Sequence, residues 1–408
     1  MQQSIHRFIF SFVTAMIVAL TLSTPQAKGQ TEKIIYSFTG STDGTSPQGG
    51  VVLDTKGNLY GVTESGGANG GGTVFELSPG GGAWTKTLLY SFTFSTSDVA
   101  LPTSNLVFDA KGNLYGMAPL GGTNGAGGIF ELSPGSNGMW SEKIIYSFTG
   151  GTDIVTFESG LTIDSGSNLY GYLGSAVLSD GNSTFGGVFE LESGPNGTWT
   201  EKVLHTFSGG SDGIAPYGGM LAVDSVGDVF GMASGGSDEY GVAFELVRRA
   251  TGSWNDKILH IYKGGADGSY GYGGPMAIDR SGNVFGTSTW SVIEFVPGSN
   301  GTWTEKILHN FAGPHDGIYP DAGVTLSNSG KIYGTTNQGG AHYGTVFELV
   351  PSSSGTWNER ILHRFMPSSG DGYYPSLSPV VVDGQGNVYG SLSSGGISNN
   401  GVVFEVTP

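Results

Sequence analysis

From residue 31 to the C-terminus, apolar and polar residues alternate in short runs, and clusters of Gly, Pro, Asn and Ser separate the runs. Alternation at period two is the pattern of a half-buried strand. In the run that begins at Trp140, it places Trp140, Ile144, Tyr146 and Phe148 on one face and Ser141, Lys143 and Ser147 on the other. No stretch of this region carries a 3.6-residue apolar period long enough for a helix. The 73 glycines among 408 residues argue the same way, since glycine costs about 1 kcal/mol relative to alanine inside a helix.

The runs form one unit that recurs seven times. A V-F-E-L phrase surrounds Glu76, Glu131, Glu190, Glu245, Glu294, Glu348 and Glu405, at spacings of 49 to 59 residues. An L-Y-G phrase ends at Gly61, Gly116, Gly171, Gly231, Gly286, Gly334 and Gly390, and an I-L-H-x-F phrase carries Tyr36, Tyr90, Tyr146, His205, His260, His309 and His363. Each unit reads as four strands, in the first copy Gly49 to Asp54, Asn58 to Thr63, Thr73 to Leu77 and Trp84 to Phe92. Four-stranded units of this length are the pattern of propeller blades. The last unit stops after Phe404–Glu405–Val406 without a fourth strand, and the region opens with an orphan fourth strand at Glu32 to Phe38. Closing a ring removes exposed strand edges. The sequence therefore predicts an all-β, seven-bladed β-propeller of four-stranded antiparallel blades over residues 30–408. Its seventh blade is residues 374–408 completed by 31–38.

The N-terminus reads differently. Arg7 precedes an apolar run from Phe8 to Leu22, and small residues follow up to Gly29. This is the order of an export leader, expected to span residues 1–29 with cleavage after Gly29. The run is shorter than the ~20 residues of a spanning helix. A secreted or periplasmic protein, without a transmembrane segment once processed, is the expectation. With no cysteine, the chain has neither disulfides nor thiolate metal sites. A net charge of -17 argues against nucleic acid as a partner. A monomer is expected.

The phrases Y-S-F-T-G-x-T-D-G, L-D-x-x-G-N-L-Y-G and G-G-G-T-V-F-E-L together resemble the GloVer tandem repeat, found in choice-of-anchor tandem repeat proteins, across residues 32–408. The resemblance implies an exported bacterial repeat protein, often anchored at the surface through a variable C-terminal segment. No sorting segment follows the last strand before Pro408, so anchoring is not expected from these residues. The resemblance carries no catalytic residues.

Most recurring residues read as structural. The histidines sit on outer strands of different blades and are assigned to packing, as are the tryptophans that open those strands. In six of the seven units the glutamate of F-E-L faces a base on the next strand (Lys33, Lys143, Lys202, Lys257, Lys306 or Arg360), a cross-strand pair worth about 0.2–1 kcal/mol. Asp43, Asp98, Asp153, Asp212, Asp267, Asp316 and Asp371 form a loop series. Aspartate before glycine suits an Asx-turn, and carboxylate oxygens also suit Ca²⁺; no other cofactor is implied.

Function is expected where the units differ, at the channel mouth built by the loops that enter each blade and that join its second and third strands. Tyr217, Tyr270, Tyr272, Tyr319, Tyr373 and Tyr374 fall in the first loop, and Asp180, Asp238, Glu239, Tyr240, Trp290, His342 and Tyr343 in the second. Aromatic faces with carboxylates suit a sugar. The reading is a non-catalytic binding scaffold at the cell envelope, for a glycan or an envelope protein. The alternative is a polysaccharide lyase or glycoside hydrolase with its site at the same mouth. It would use His342 or His315 as base and Asp180, Asp238 or Glu239 as acid.

Overall fold

The computed structural model describes residues 31–408, apart from 152, 154–158, 178–182, 217–218, 270–273, 314, 341, 367–369, 374 and 376–378. The leader expected over residues 1–29 lies outside these. Among the described residues the helical segments are three short 3₁₀ turns, and no helix is long and apolar enough to cross a membrane.

Seven four-stranded antiparallel sheets form a seven-bladed propeller. From inner to outer strand, blade 1 is Val51–Leu53, Leu59–Thr63, Thr73–Pro79 and Trp84–Ser91, and blade 2 is Val107–Phe108, Leu114–Ala118, Gly128–Pro134 and Trp140–Ser147. Blades 3 to 6 begin on Thr162–Ile163, Ala222–Val223, Ala277–Ile278 and Thr325–Leu326. They end on Trp199–Thr206, Trp254–Ile261, Trp303–Asn310 and Trp357–Arg364. Blade 7 consists of Val381–Val382, Val388–Leu392 and Val402–Thr407, and its outer strand is Thr31–Ser37 from the start of the chain. There Lys33 pairs with Glu405 and Ile34 with Phe404, which is the closure expected from the unfinished last unit.

The phrases recur together because their side chains fit one another. A Cβ on Gly116 would sit 2.4 Å from the Phe130 ring, and one on Gly61 would sit 2.6 Å from that of Phe75. The L-Y-G glycine is thus the space into which the F-E-L phenylalanine packs. Blade 5 is the exception that fits the rule: Ile293 replaces the phenylalanine, and the nearest atom to a Cβ on Gly286 is 3.4 Å away. The L-D-x-x-G-N turn is held by its aspartate. Asp54 accepts hydrogen bonds from the Lys56 and Asn58 amides and from the Asn58 side chain.

The core lies between blades. Trp140 of blade 2 packs on Tyr60 of blade 1, Trp199 of blade 3 on Tyr115 of blade 2, and Trp84 of blade 1 on Tyr389 of blade 7. The outer strands carry a correction to the alternation read from sequence. In every blade the pairing of third and outer strand slips by one residue, leaving Ile35, Leu89, Ile145, Leu204, Leu259, Leu308 or Leu362 unpaired. A bulge of this kind reverses the facing of every later residue. Trp140 and Ile144 therefore pack toward blade 1, whereas Tyr146 and Phe148 pack toward blade 3. They do not share one face.

Candidate functional site at the channel mouth

The centre of the ring is nearly filled. Gln48, Thr103, Asn105, Gly160, Met220 and Pro275 line a channel with a free volume of about 20 Å³. That is room for about one water, not for a sugar ring. Small residues bring the blades this close: a Cβ on Gly49 would lie 2.1 Å from the Ser104 carbonyl oxygen. Asn105 ties blade 2 to blade 3 by accepting from the Leu161 amide at 3.0 Å and donating to its carbonyl at 3.1 Å. A sugar at this mouth would therefore sit on the rim and not inside the channel.

On the rim, the loops entering blades 1, 2 and 6 share a geometry: the residue before the proline adopts a positive φ, at Ser46 (56°), Leu101 (58°) and Tyr319 (61°). Hydrogen bonds fix this bend. The Ile318 amide donates to the Gln338 carbonyl and the Asn337 amide to the Tyr319 carbonyl, both at 2.8 Å. Tyr319 thus occupies a place where blade 1 has a serine. Its ring lies 4.7 Å from that of Trp290, tilted by 38°, and Trp290 is 40% exposed. A second pair, Tyr343 with Tyr373, has centroids 6.2 Å apart. The Tyr373 hydroxyl donates to Asn399 at 3.0 Å.

Two residues beyond Tyr319, Asp321 is buried with one carboxylate oxygen unpartnered, while the other accepts from Asn337 at 3.3 Å. Burial pushes its pKa up to about 6. In blade 1 the corresponding pair is Gln48 donating to Glu64 at 2.5 Å.

The structure groups some of the residues expected at this mouth and separates others. Tyr319 joins Trp290, and Tyr343 joins Tyr373. Tyr240 packs on the backbone of Gly264, between blades 4 and 5. Asp238 and Glu239 are exposed in a loop of blade 4, and His342 is exposed in a loop of blade 6 at a φ of 86°. His315 is exposed, and its carbonyl accepts from Arg364. Tyr217, Tyr270, Tyr272, Tyr374 and Asp180 lie outside the described residues.

Sequence reasoning missed a second constellation, repeated at the blade interfaces. The loop aspartates do not form Asx-turns with the glycine that follows. Each reaches back instead, accepting from the amide four or five residues earlier and from the Tyr or His of the outer strand, as Asp153 does from Thr149 and Tyr146. Asp316 does the same with Ala312 and His309. At every interface but that of blades 7 and 1, an acid from the next blade stands beside the group. The Tyr146 hydroxyl also meets Glu201 at 2.9 Å, and Tyr90 interacts with Glu142. At three interfaces the group is a histidine with two carboxylates: His260, Asp267 and Glu305; His309, Asp316 and Glu359; His363, Asp371 and Glu32. The signal was present in the sequence, because an acid stands two residues after the tryptophan at Glu142, Glu201, Asp256, Glu305 and Glu359.

The expected Glu–base pairs form in part. Lys257 meets Glu245 at 2.8 Å and Lys306 meets Glu294 at 3.2 Å, while Lys202 turns to Glu192 at 2.5 Å.

Fold and repeated constellation together define a closed propeller built from one sequence repeat. The family model described as the Gloeobacter/Verrucomicrobia repeat matches residues 19–177, as the resemblance in the sequence implies; this segment holds the closing strand, blades 1 and 2 and part of blade 3. No curated protein matches the sequence. Among solved structures, the chain is similar to virginiamycin B lyase from Staphylococcus aureus, at 10% identity and a TM-score of 0.54, over 93% of this chain and 99% of that one. It is also similar to an ancestral GH74 enzyme at 14% identity and a TM-score of 0.53, covering 90% of this chain and 48% of that one. The extracellular domain of a hybrid two-component system from B. thetaiotaomicron matches at 12% identity and a TM-score of 0.54, covering 93% and 42%. Identities this low speak for the fold alone.

Proposed function

We propose that this propeller is an exported, non-catalytic scaffold that binds a glycan on the rim of its channel, across blades 5 to 7. The observation that carries the reading is the Trp290–Tyr319 pair, half-exposed aromatic surface on a loop whose bend is fixed by hydrogen bonds. A rigid apolar ring face covers a pyranose at low entropic cost, and neighbouring polar groups take its hydroxyls. The nearly filled channel supports a surface ligand over an enclosed one. The groups that a hydrolase or lyase would need, His342 and Asp238, stand on loops two blades apart.

A glycan array, read beside a panel of polysaccharides assayed for new reducing ends or unsaturated products, tests the reading. Binding without turnover, weakened at least tenfold in Trp290→Ala and Tyr319→Ala, is expected. Turnover of any polysaccharide, or binding indifferent to both substitutions, would overturn it.

A further inference from the structure

We infer that the three contiguous interfaces between blades 4 and 5, 5 and 6, and 6 and 7 each hold a divalent transition-metal ion, of the zinc class, between a histidine and two carboxylates.

Each site draws its ligands from two blades. His260 of the blade 4 outer strand and Asp267 of the loop that leaves it face Glu305 on the outer strand of blade 5. His309 and Asp316 face Glu359 in the same way, and His363 and Asp371 face Glu32 of the closing strand. Within each trio the ligand atoms lie within 4.8 Å of one another. His260 Nε2 lies 3.2 Å from Asp267 Oδ1 and 3.5 Å from Glu305 Oε2. A tetrahedral zinc with bonds of about 2.0–2.2 Å holds its ligand atoms about 3.4 Å apart. Imidazole and carboxylate are donors for zinc-class ions, and a neutral imidazole with two carboxylates balances a charge of two.

The repeat itself shows that a cation suits this position. The Oε1 atom of the glutamate is buried without a hydrogen-bond partner at Glu32, Glu305 and Glu359, as it also is at Glu142 and Glu201, where tyrosine stands in place of histidine. A buried carboxylate oxygen left unpaired is costly. The seventh interface, between blades 7 and 1, shows how the fold solves the same problem elsewhere. There Lys86 takes the position of the glutamate, and its ammonium lies 2.8 Å from Asp43 Oδ1. Asp43 receives its cation from the chain itself; the trios have no lysine or arginine at that position. The aspartates are also oriented as metal ligands usually are. Asp316 accepts a backbone amide at 2.7 Å through Oδ2 and turns Oδ1 to its histidine; Asp267 accepts its amide likewise, with both oxygens 3.2 Å from His260, and Asp371 turns Oδ2 to both its amide and His363. His205, Asp212 and the shorter Asp256 stand at the remaining histidine interface and are not among the close trios.

The repeat supplies its own control, because tyrosine occupies the histidine position in blades 1, 2 and 7. Zn²⁺ is titrated calorimetrically into the full processed chain, and metal is counted after desalting. The wild type is expected to bind three ions per chain, His260→Tyr, His309→Tyr and His363→Tyr two each, and the triple variant none. Co²⁺ in place of Zn²⁺ should give the visible absorption of a site with nitrogen and oxygen donors, lost in the triple variant. No uptake by the wild type, or uptake unchanged in the triple variant, would overturn the proposal. If the triple variant does not fold, Glu305→Gln and Glu359→Gln decide the matter: each should remove one ion, and full occupancy in both would overturn it.

Discussion

Among the described residues, Lys86 and Asp43 form the one lysine–carboxylate pair in the ring of interblade acids. Their side chains are 8% and 19% exposed, and the lysine also reaches the Asp43 carbonyl and lies over the Phe38 ring at 4.8 Å. Asp43 belongs to the segment that follows the closing strand, and Lys86 to the outer strand of blade 1. The pair therefore ties the first and last blades together where the ring is sealed. Hydrogen bonds from Lys86, Thr39 and Tyr36, together with the lysine charge, hold the Asp43 carboxyl below its ordinary range against the pull of burial. Lys86→Met leaves that carboxylate largely buried and unpaired. We expect a loss of about 2 kcal/mol, read as a lower denaturant midpoint with an unchanged slope.

Glu142 and Glu201, at the interfaces on either side of blade 2, shift in the opposite sense. Burial first, and nearby Asp98 second, push the Glu142 carboxyl from its ordinary 4.5 up to about 7. Burial raises Glu201 as well. Between these two pH values the folded state holds a proton that the unfolded chain has released, so stability falls as pH rises through the window. The carboxyls held low, Asp43, Asp212 and Glu348, lose their contribution only under more acid conditions. The melting temperature should accordingly be higher near pH 5 than near pH 8. Glu142→Gln supplies a permanently neutral group that Tyr90 can still bond. It should raise the melting temperature near pH 8, leave it nearly unchanged near pH 5, and flatten the slope between. A slope identical to wild type would show that Glu142 ionises freely.

What the sequence made legible follows from which interactions repeat. Seven copies of L-Y-G and V-F-E-L encode one local fit, so blade number and strand order could be read directly, and the missing fourth strand of the last unit located the closure. The bulge at Ile145 and its equivalents was hidden, because an extra apolar residue in an apolar strand leaves composition unchanged while reversing Tyr146. The Asp–His–Glu groups were hidden for another reason. Their members come from three segments in two blades, and only register brings Glu305 to His260. On the rim the loops differ in length and residue type from unit to unit. Their aromatic residues could be enumerated but not paired; that Trp290 meets Tyr319 across a blade boundary depends on the bend before Pro320.

The fit between glycine and phenylalanine can be tested as a pair. Gly116→Ala should cost about 2–3 kcal/mol, because its Cβ meets the Phe130 ring in a closely packed interior. Blade 5 indicates the compensation, since Ile293 stands opposite Gly286. Gly116→Ala combined with Phe130→Ile should recover at least half of the loss, and Gly286→Ala alone should cost less than Gly116→Ala. A double-mutant cycle by urea unfolding measures both. Additive costs in the pair would mean that glycine is required for the strand backbone rather than for the ring above it.

Closure by the first strand sets the cooperativity of the whole ring. Thr31–Ser37 supplies the outer strand of blade 7, and Ile35 and Phe38 are buried in the core shared by blades 7 and 1. Without it, Val402–Thr407 becomes an unpaired edge, and the apolar side chains of Phe75 and Val403 lose their cover. A chain beginning at residue 39 should therefore lose far more than the local contacts: an open ring has two ends that can fray, where the closed ring has none. We expect its unfolding to broaden or split into more than one transition. We also expect the truncated chain to self-associate through the exposed edge. A synthetic peptide of residues 31–38 added in trans should restore a single transition and the mass of the intact chain in size-exclusion chromatography with light scattering. If the truncated chain unfolds in one sharp step at the wild-type midpoint, the first strand decorates the ring and does not lock it.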